Sequence, residues 1–191
     1  MSISETISVI NQMEADGVVG RYAIGGAVAA INYLEPALTE DLDILVSFDD
    51  QLKESKSGLV TLGPIIKYLA DKGFQEFRNE GIVVSGWPVQ FLPVAKPLDS
   101  EGLAEAITVD FRIDAETIIK CRILRAEHLI ATALDVGRPK DYVRITQFVE
   151  AKAFDAAYLR DVLERHNLIA KWQSFCDRFE IQNPCDNGHK P

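Results

Sequence analysis

The chain is poor in cysteine, and the few thiols it has are badly placed for cross-links or metals. Among 191 residues there are three cysteines, Cys121, Cys176 and Cys185. An odd number with wide, irregular spacing argues against a disulfide framework and against a tetrahedral zinc site. We therefore expect buried, unreactive thiols.

Long hydrophobic runs are also missing. No apolar stretch approaches the roughly 20 residues that span a bilayer, so we predict no membrane segment. The opening "MSISETISVINQMEADG" has no basic start followed by an apolar stretch, so we expect no export signal and a cytoplasmic localisation. With 47% apolar and 26% charged residues, the composition is that of a soluble globular protein with a core.

Positive charge is the third scarce feature. The 20 Lys and Arg residues face 29 Asp and Glu residues, which gives a net charge of −9. This balance opposes broad nucleic-acid binding, because such binding depends on clustered basic side chains. The charge is uneven: residues 35–54 carry seven acids and one base, whereas residues 120–144 carry six bases and three acids.

The first two thirds of the chain mix helical and strand patterns. "SISETISVINQMEADG" predicts a helix, "RYAIGG" a strand ending in a glycine turn, "AVAAINYL" a short helix before Pro36, and "LDILVSF" a strand. A helix with Pro64 in its first turn and Gly73 at its end follows. "FQEFRNEGIVVSGWPVQFLPV" predicts consecutive strands, "DSEGLAEAIT" a short helix, and "TVDFRIDAETIIKCRIL" a further strand pair.

After Leu124 only helical spacing remains. The sequence therefore predicts an α+β fold, with a mixed sheet and flanking helices followed by a C-terminal helical part. We place the core at residues 1–120, the helical part at 121–182 packed on that core, and a loose tail at 183–191. In the helical part, we expect His128 and Trp172 to be packed residues, and we find no partner for His166.

Two aspartates, Asp41 and Asp43, stand one residue apart where the strand "LDILVSF" begins. Side chains two apart on a strand point to the same side, so the two carboxylates should share a face. Like charges resist burial unless a cation cancels them, and Mg²⁺ (or Mn²⁺) takes carboxylate oxygens directly. The alternative is a solvated strand end. A phosphatase nucleophile loop is disfavoured, because there the strand precedes the aspartates.

Gly25 and Gly26 supply the second half of the pattern. Two glycines between a strand and a helix let a bulky group approach the backbone, and a helix start offers free N–H groups to phosphate oxygens. A nucleoside triphosphate (NTP) with Mg²⁺ would satisfy the glycines and the aspartates together. An ordinary glycine turn is the simpler alternative.

In this order the motifs resemble the minimal nucleotidyltransferases of the polymerase-beta-like superfamily, in particular the AbiEii-like toxin group. The resemblance lies in "GGAVAAINYLEPALTEDLD", with Thr39 at a Ser/Thr position, and in "ILRAEHLIATALDVGRPKDYVRITQFVE". It implies a nucleotidyltransferase fold. It also implies metal binding and catalysis by Asp41 and Asp43, catalytic roles for Lys140 and Asp141, and nucleotide binding by Gly25, Gly26, Thr39 and Arg138.

Three positions depart from the family pattern. Ala37 stands where relatives carry arginine, Ala133 where they carry lysine, and Gln90 at the aligned third carboxylate. Glu105 or Asp110 are alternative sources of that charge. Two functions therefore stay open. One is nucleotidyl transfer to an acceptor that is a small molecule, tRNA or protein. The other is a degenerate scaffold or toxin–antitoxin component, with an antitoxin partner, that binds without turnover.

Overall fold

The computed structural model describes residues 3–36, 38–48, 62–112 and 118–186. Its first half alternates helices with strands. In chain order the elements are α1 (Ile3–Ala15), β1 (Tyr22–Ile24), α2 (Gly26–Ala30), β2 (Leu42–Val46), α3 (Gly63–Asp71), β3 (Phe77–Arg78), β4 (Gly81–Val84), β5 (Trp87–Pro93), α4 (Pro97–Ala104), β6 (Ile107–Arg112) and β7 (Ile118–Ile123).

The second half is helical. It comprises α5 (Ala126–Val136), α6 (Pro139–Ala151), α7 (Ala156–Arg165), α8 (Ile169–Arg178) and a short 3₁₀ turn at Pro184–Asp186. Helix α5 packs on α2 and α4 as well as on its helical neighbours, so the helical part lies against the sheet-containing part. The boundary placed between residues 120 and 121 falls inside β7, and the first of these helices begins at Ala126.

Seven strands of the described residues form one mixed sheet, in the order β3-β4-β5-β2-β1-β7-β6. The pairs β2–β5 and β1–β7 are parallel, and the others are antiparallel. The predicted α+β class, with a mixed sheet and a C-terminal helical part, is confirmed. Strand β2 lies at the centre, where burial on both faces suits its apolar sequence.

The core continues from the sheet into the helices. Ile44 of β2, Phe148 of α6 and Trp172 of α8 are all at most 1% exposed. The three cysteines are buried and free, as expected, and burial raises the pKa of each thiol to about 11. No helix in the described ranges is both long and apolar enough to cross a membrane.

The first residues of the predicted loose tail make specific contacts in the structure. Asn183 Oδ1 accepts hydrogen bonds from Trp172 Nε1 at 2.7 Å and from Cys185 N at 3.0 Å, and Cys185 is buried. A buried indole N–H needs an acceptor, and Asn183 provides it. Residues 187–191, which include His189, lie outside the described residues.

A polar cluster centred on Glu101 ties α4 to α5 and α7. Arg165 Nη2 donates to Glu101 Oε1 at 2.6 Å, His166 Nε2 lies 2.8 Å from Oε2, and His128 Nε2 lies 3.2 Å from Oε1. Arg165, with the two histidines, lowers the pKa of Glu101 to about 2. His128 is fully buried as predicted, whereas the expectation that His166 has no partner is wrong.

Asp155 caps the start of α7 and provides a first test of the helical part. Its Oδ1 accepts hydrogen bonds from Ala157 N at 2.9 Å and Tyr158 N at 3.0 Å. We expect Asp155→Ala to lower the free energy of unfolding by about 1 kcal/mol, measured in urea. Asp161→Ala, on the exposed face of the same helix, is the control and should change it by less than about 0.5 kcal/mol. Equal losses would mean that the cap contributes nothing.

Candidate functional site

The glycine turn and the second aspartate lie side by side. Gly25 N donates a hydrogen bond to Asp43 O at 2.9 Å, which continues the antiparallel pairing of β1 with β2. Gly26 has φ +56°, and a Cβ on it would lie 1.9 Å from Asp43 Oδ2. Only glycine therefore leaves the Asp43 carboxylate its observed position.

The charge of Asp41 acts on the Asp43 carboxylate. Burial, and then the charge of Asp41, raise the pKa of Asp43, while Arg144, Lys140 and Arg138 lower it. The net shift is upward, so the nearby cations do not fully offset the cost of ionising Asp43. Thr39 Oγ1 lies 3.2 Å from Asp41 O and 3.3 Å from Asp41 Oδ1, so it can donate to either and steady the residue that leads into β2.

A cavity of about 390 Å³ opens beside Asp43. Strand ends, the glycine turn and helices α4, α5 and α6 all contribute to its wall. The residues that carry charge or adjoin Asp43 are Gly25, Gly26, Asp43, Glu80, Gln90, Lys96, Asp99, Arg138, Asp141 and Arg144. The fold thus brings five of the predicted residues, Gly25, Gly26, Asp43, Arg138 and Asp141, to one cavity.

Asp141 is engaged by its own helix. Its Oδ2 accepts from Arg138 N at 3.1 Å and from Arg138 Nε at 2.8 Å, and Oδ1 accepts from Nη2 at 3.3 Å. This bond raises the pKa of Arg138. These hydrogen bonds cap the start of α6 and hold the Arg138 guanidinium at the cavity rim. Asp141 itself is only 2% exposed.

Lys140 and Asp41 lie apart from the cavity lining. Lys140 is exposed on the first turn of α6, and its charge acts on Asp43 through space. The helix α2 has five residues, so its dipole is small and phosphate binding at this turn depends on backbone access at Gly25 and Gly26. The catalytic and binding roles of these residues stay predictions.

Gln90 is the register partner of Asp43 in the parallel pair β2–β5. The position aligned with a third carboxylate is therefore beside Asp43, and an amide occupies it. Asp110 is exposed on β6, with β1 and β7 between that strand and β2, and neither it nor Glu105 lines the cavity. Their suggested replacement of the missing carboxylate has no geometric support.

Four charged residues of the cavity, Glu80, Lys96, Asp99 and Arg144, were not among the predicted site residues. Arg144 follows Asp141 by three positions, one turn of α6, and that spacing was the signal available in the sequence. Glu80 lies in the turn between β3 and β4, and Lys96 precedes α4. Glu80 and Lys96 belong to no motif in the sequence. Only tertiary folding brings them to the cavity beside Asp43.

The residues beside Asp43 fit a hard divalent cation. Asp43 offers carboxylate oxygens, and its register partner Gln90 offers an amide oxygen. Asp41, two residues before Asp43, offers a second carboxylate outside the cavity lining. Because Gly26 has no Cβ, Asp43 Oδ2 has room at its observed position. No group of three or more His, Cys, Asp or Glu side chains suited to a metal occurs among the residues that the structure describes. A bound ligand would therefore have to supply oxygens as well.

The fold is similar to that of solved protein structures. The solution structure of the antibiotic-resistance factor ANT(2'')-Ia, an aminoglycoside nucleotidyltransferase, is similar at TM-score 0.46 and 14% identity, over 92% of this chain and 97% of that chain. At that score and identity the likeness assigns no activity. No protein-family model and no curated protein sequence matches the chain. Membership of the AbiEii-like toxin group stays a prediction.

Proposed function

We propose that this protein binds a nucleoside triphosphate with Mg²⁺ and transfers its nucleotidyl group to an acceptor. The observation that supports the proposal is the Asp43 carboxylate, seated against Gly26 at a cavity that also contains Arg138 and Arg144. A bound cation would balance the carboxylates, and a bound anion would balance the guanidinium groups. A metal-bound polyphosphate carries both charges in one ligand.

Each residue has a defined part in this reaction. Asp41 and Asp43 hold the cation, Gly25 and Gly26 admit the phosphates to the backbone, and Arg138, fixed by Asp141, faces the outer charge. A nucleophilic acceptor oxygen bonds to the α-phosphorus, and the bond from that phosphorus to the oxygen bridging the β-phosphate breaks. Pyrophosphate leaves, and the acceptor's proton passes to solvent. The bound cation offsets charge on the phosphate oxygens.

The proposal leaves the acceptor as a small molecule, tRNA or protein. A net charge of −9 disfavours a long nucleic acid, since few Lys and Arg remain to neutralise its phosphates. The more basic residues 120–144 allow a short contact. Mn²⁺ is an alternative to Mg²⁺, because both accept oxygen ligands.

Titration with ATP, CTP, GTP and UTP in the presence of Mg²⁺ tests the binding step. We expect at least one nucleotide to bind, only with Mg²⁺, and Asp43→Asn to weaken it about tenfold, because an amide replaces a carboxylate ligand. Asp110→Asn makes the same chemical change on exposed β6 and should bind as the unmodified protein does. Absence of binding by every nucleotide, or equal binding by Asp43→Asn, would disprove the proposal.

The same variant has an opposite effect on stability without ligand. The raised pKa of Asp43 means that the folded state disfavours its charged form, so ionisation costs folding free energy above the ordinary pKa of an aspartate. Asp43→Asn without metal should therefore be at least as stable as the unmodified protein in urea. Higher stability of Asp43→Asn without ligand, together with its weaker nucleotide binding, would support a ligand-binding role for Asp43.

Gln90 favours a second candidate, a degenerate protein that binds the nucleotide without turnover. Its amide beside Asp43 neither serves as a general base nor anchors a metal as a carboxylate does. Nucleotide binding with no pyrophosphate release across small-molecule, tRNA and protein acceptors would support this candidate, whereas release would exclude it. In that case the chain acts as a scaffold or toxin–antitoxin component, and an antitoxin is the predicted partner.

A further inference from the structure

Three basic side chains line the cavity beside Asp43, and they differ in their other contacts. Arg138 is bonded to Asp141, and Lys96 Nζ lies 2.5 Å from Asp135 Oδ2. Arg144 makes no hydrogen bond or ion pair to any described residue. Of the three basic groups in this wall, it alone has no donor engaged by a residue in the described ranges.

Helix α6 holds Arg144 on the side that faces the cavity. Asp141 precedes it by three residues and Phe148 follows it by four, and both are buried. Residues at these spacings share one helix face, so Arg144 is half-buried rather than extended into solvent. Of the three cations that lower the pKa of Asp43, Arg144 has the largest effect, ahead of Lys140 and Arg138.

A partly buried guanidinium normally has hydrogen-bond acceptors beside it. Arg144 has none within hydrogen-bond distance among the described residues. Removing the charge from water is costly unless an anion or acceptors compensate. The neighbouring carboxylate of Asp43 is the one we assign to the metal. A phosphate group fits the remaining requirement, since the planar guanidinium can donate two parallel hydrogen bonds to its oxygens.

We propose that Arg144 binds the polyphosphate of the nucleotide, beside Arg138, to which the family resemblance gives nucleotide binding. This assignment rests on the proposed function and adds a residue to it. Lys140 is exposed outside the cavity lining, and Arg138 is already bonded to Asp141. Arg144 therefore recognises the part of the ligand that all four nucleotides share, which makes its effect independent of the base.

The test compares Arg144→Gln, Arg144→Lys, Lys140→Gln and Arg160→Gln for binding of ATP and of inorganic tripolyphosphate, each with Mg²⁺. We expect Arg144→Gln to weaken both ligands about ten- to a hundredfold, the loss of charged hydrogen bonds. Arg144→Lys should lose less affinity, because lysine keeps the positive charge but cannot donate two parallel hydrogen bonds. Lys140→Gln should lose about twofold in affinity at most, because solvent and salt screen the charge of this exposed lysine. Arg160→Gln, at a side chain of α7 that is 42% exposed and outside the cavity lining, is the matched control.

Several outcomes overturn the assignment while leaving the proposed function standing. One is wild-type affinity in Arg144→Gln, and another is a larger loss in Lys140→Gln. A loss for ATP without a loss for tripolyphosphate would place Arg144 at the base or sugar instead. Failure of the unmodified protein to bind any of ATP, CTP, GTP and UTP removes the proposed function itself. Thermal unfolding of each variant identifies misfolding, and if Arg144→Gln unfolds, Arg144→Lys decides the question by the same comparison.

Discussion

Gly26→Ala is expected to abolish Mg²⁺–nucleotide binding, with an affinity loss of at least about a hundredfold, while the protein still folds. The new Cβ would occupy a point 1.9 Å from Asp43 Oδ2, 2.9 Å from Cγ and 3.2 Å from Cβ. The obstacle is therefore the movable end of the Asp43 side chain. The carboxylate can rotate away at little cost to the fold, but it then leaves the position that we assign to the metal ligand.

Gly17→Ala supplies the matched control. Gly17 also has positive φ, +72°, but a Cβ there meets no atom within 4 Å. Both substitutions should lower the free energy of unfolding by about 1 kcal/mol, since both place an L-residue in the left-handed region. Binding should be lost in Gly26→Ala alone. Undiminished binding by Gly26→Ala in calorimetry would contradict the site described here.

Glu101→Gln is expected to lower the free energy of unfolding by about 2 to 3 kcal/mol at pH 7. The folded pKa of Glu101 is about 2, below the ordinary value of 4.5, chiefly because Arg165 donates to it. A depressed pKa contributes stability that is complete above pH 4.5 and lost as the pH falls toward 2. The expected loss is set below the free energy that the whole pKa shift corresponds to, because solvent screens a side chain that is 21% exposed.

Urea unfolding at pH 7 and at pH 3 separates charge from packing. The difference in the free energy of unfolding between Glu101→Gln and the unmodified protein should be larger at pH 7 than at pH 3. At pH 3, Glu101 has lost part of the stability that its charge contributes. Glu105→Gln, exposed at the end of α4, serves as the control and should change stability by less than about 0.5 kcal/mol. A gap of the same size at both pH values would mean that shape, and not charge, accounts for the loss.

The secondary structure was largely predictable because its signals are local. Apolar spacing predicted α1 and the helices after Leu124, and Pro64 and Gly73 bracketed α3. Helix α4 begins at Pro97, before the predicted stretch, because Asp99 Oδ2 accepts from Ala95 N at 3.1 Å and Lys96 N at 3.0 Å. Side-chain caps of this kind shift helix ends by a turn without changing the apolar pattern.

The candidate site was predictable only where its residues form one motif. Gly25, Gly26, Asp41 and Asp43 belong to a single strand–helix–strand segment, so their spacing along the chain carries the pattern. Arg144 lies outside that segment, and its surroundings "YVRITQ" are typical of an ordinary helix face. The Glu101 cluster was missed because Arg165 and His166 lie 64 and 65 positions away.

By itself, the sequence determined the order of helices and strands, the scarcity of positive charge, and the pairing of two glycines with two aspartates, because each depends on neighbours along the chain. Only the tertiary structure decided that Gln90 lies beside Asp43, that Asp141 bonds to Arg138, and that Arg144 lines the cavity without a hydrogen bond to any residue that the structure describes. The physical reason is that strand register and helix packing are set by burial of the whole core, which no local pattern encodes.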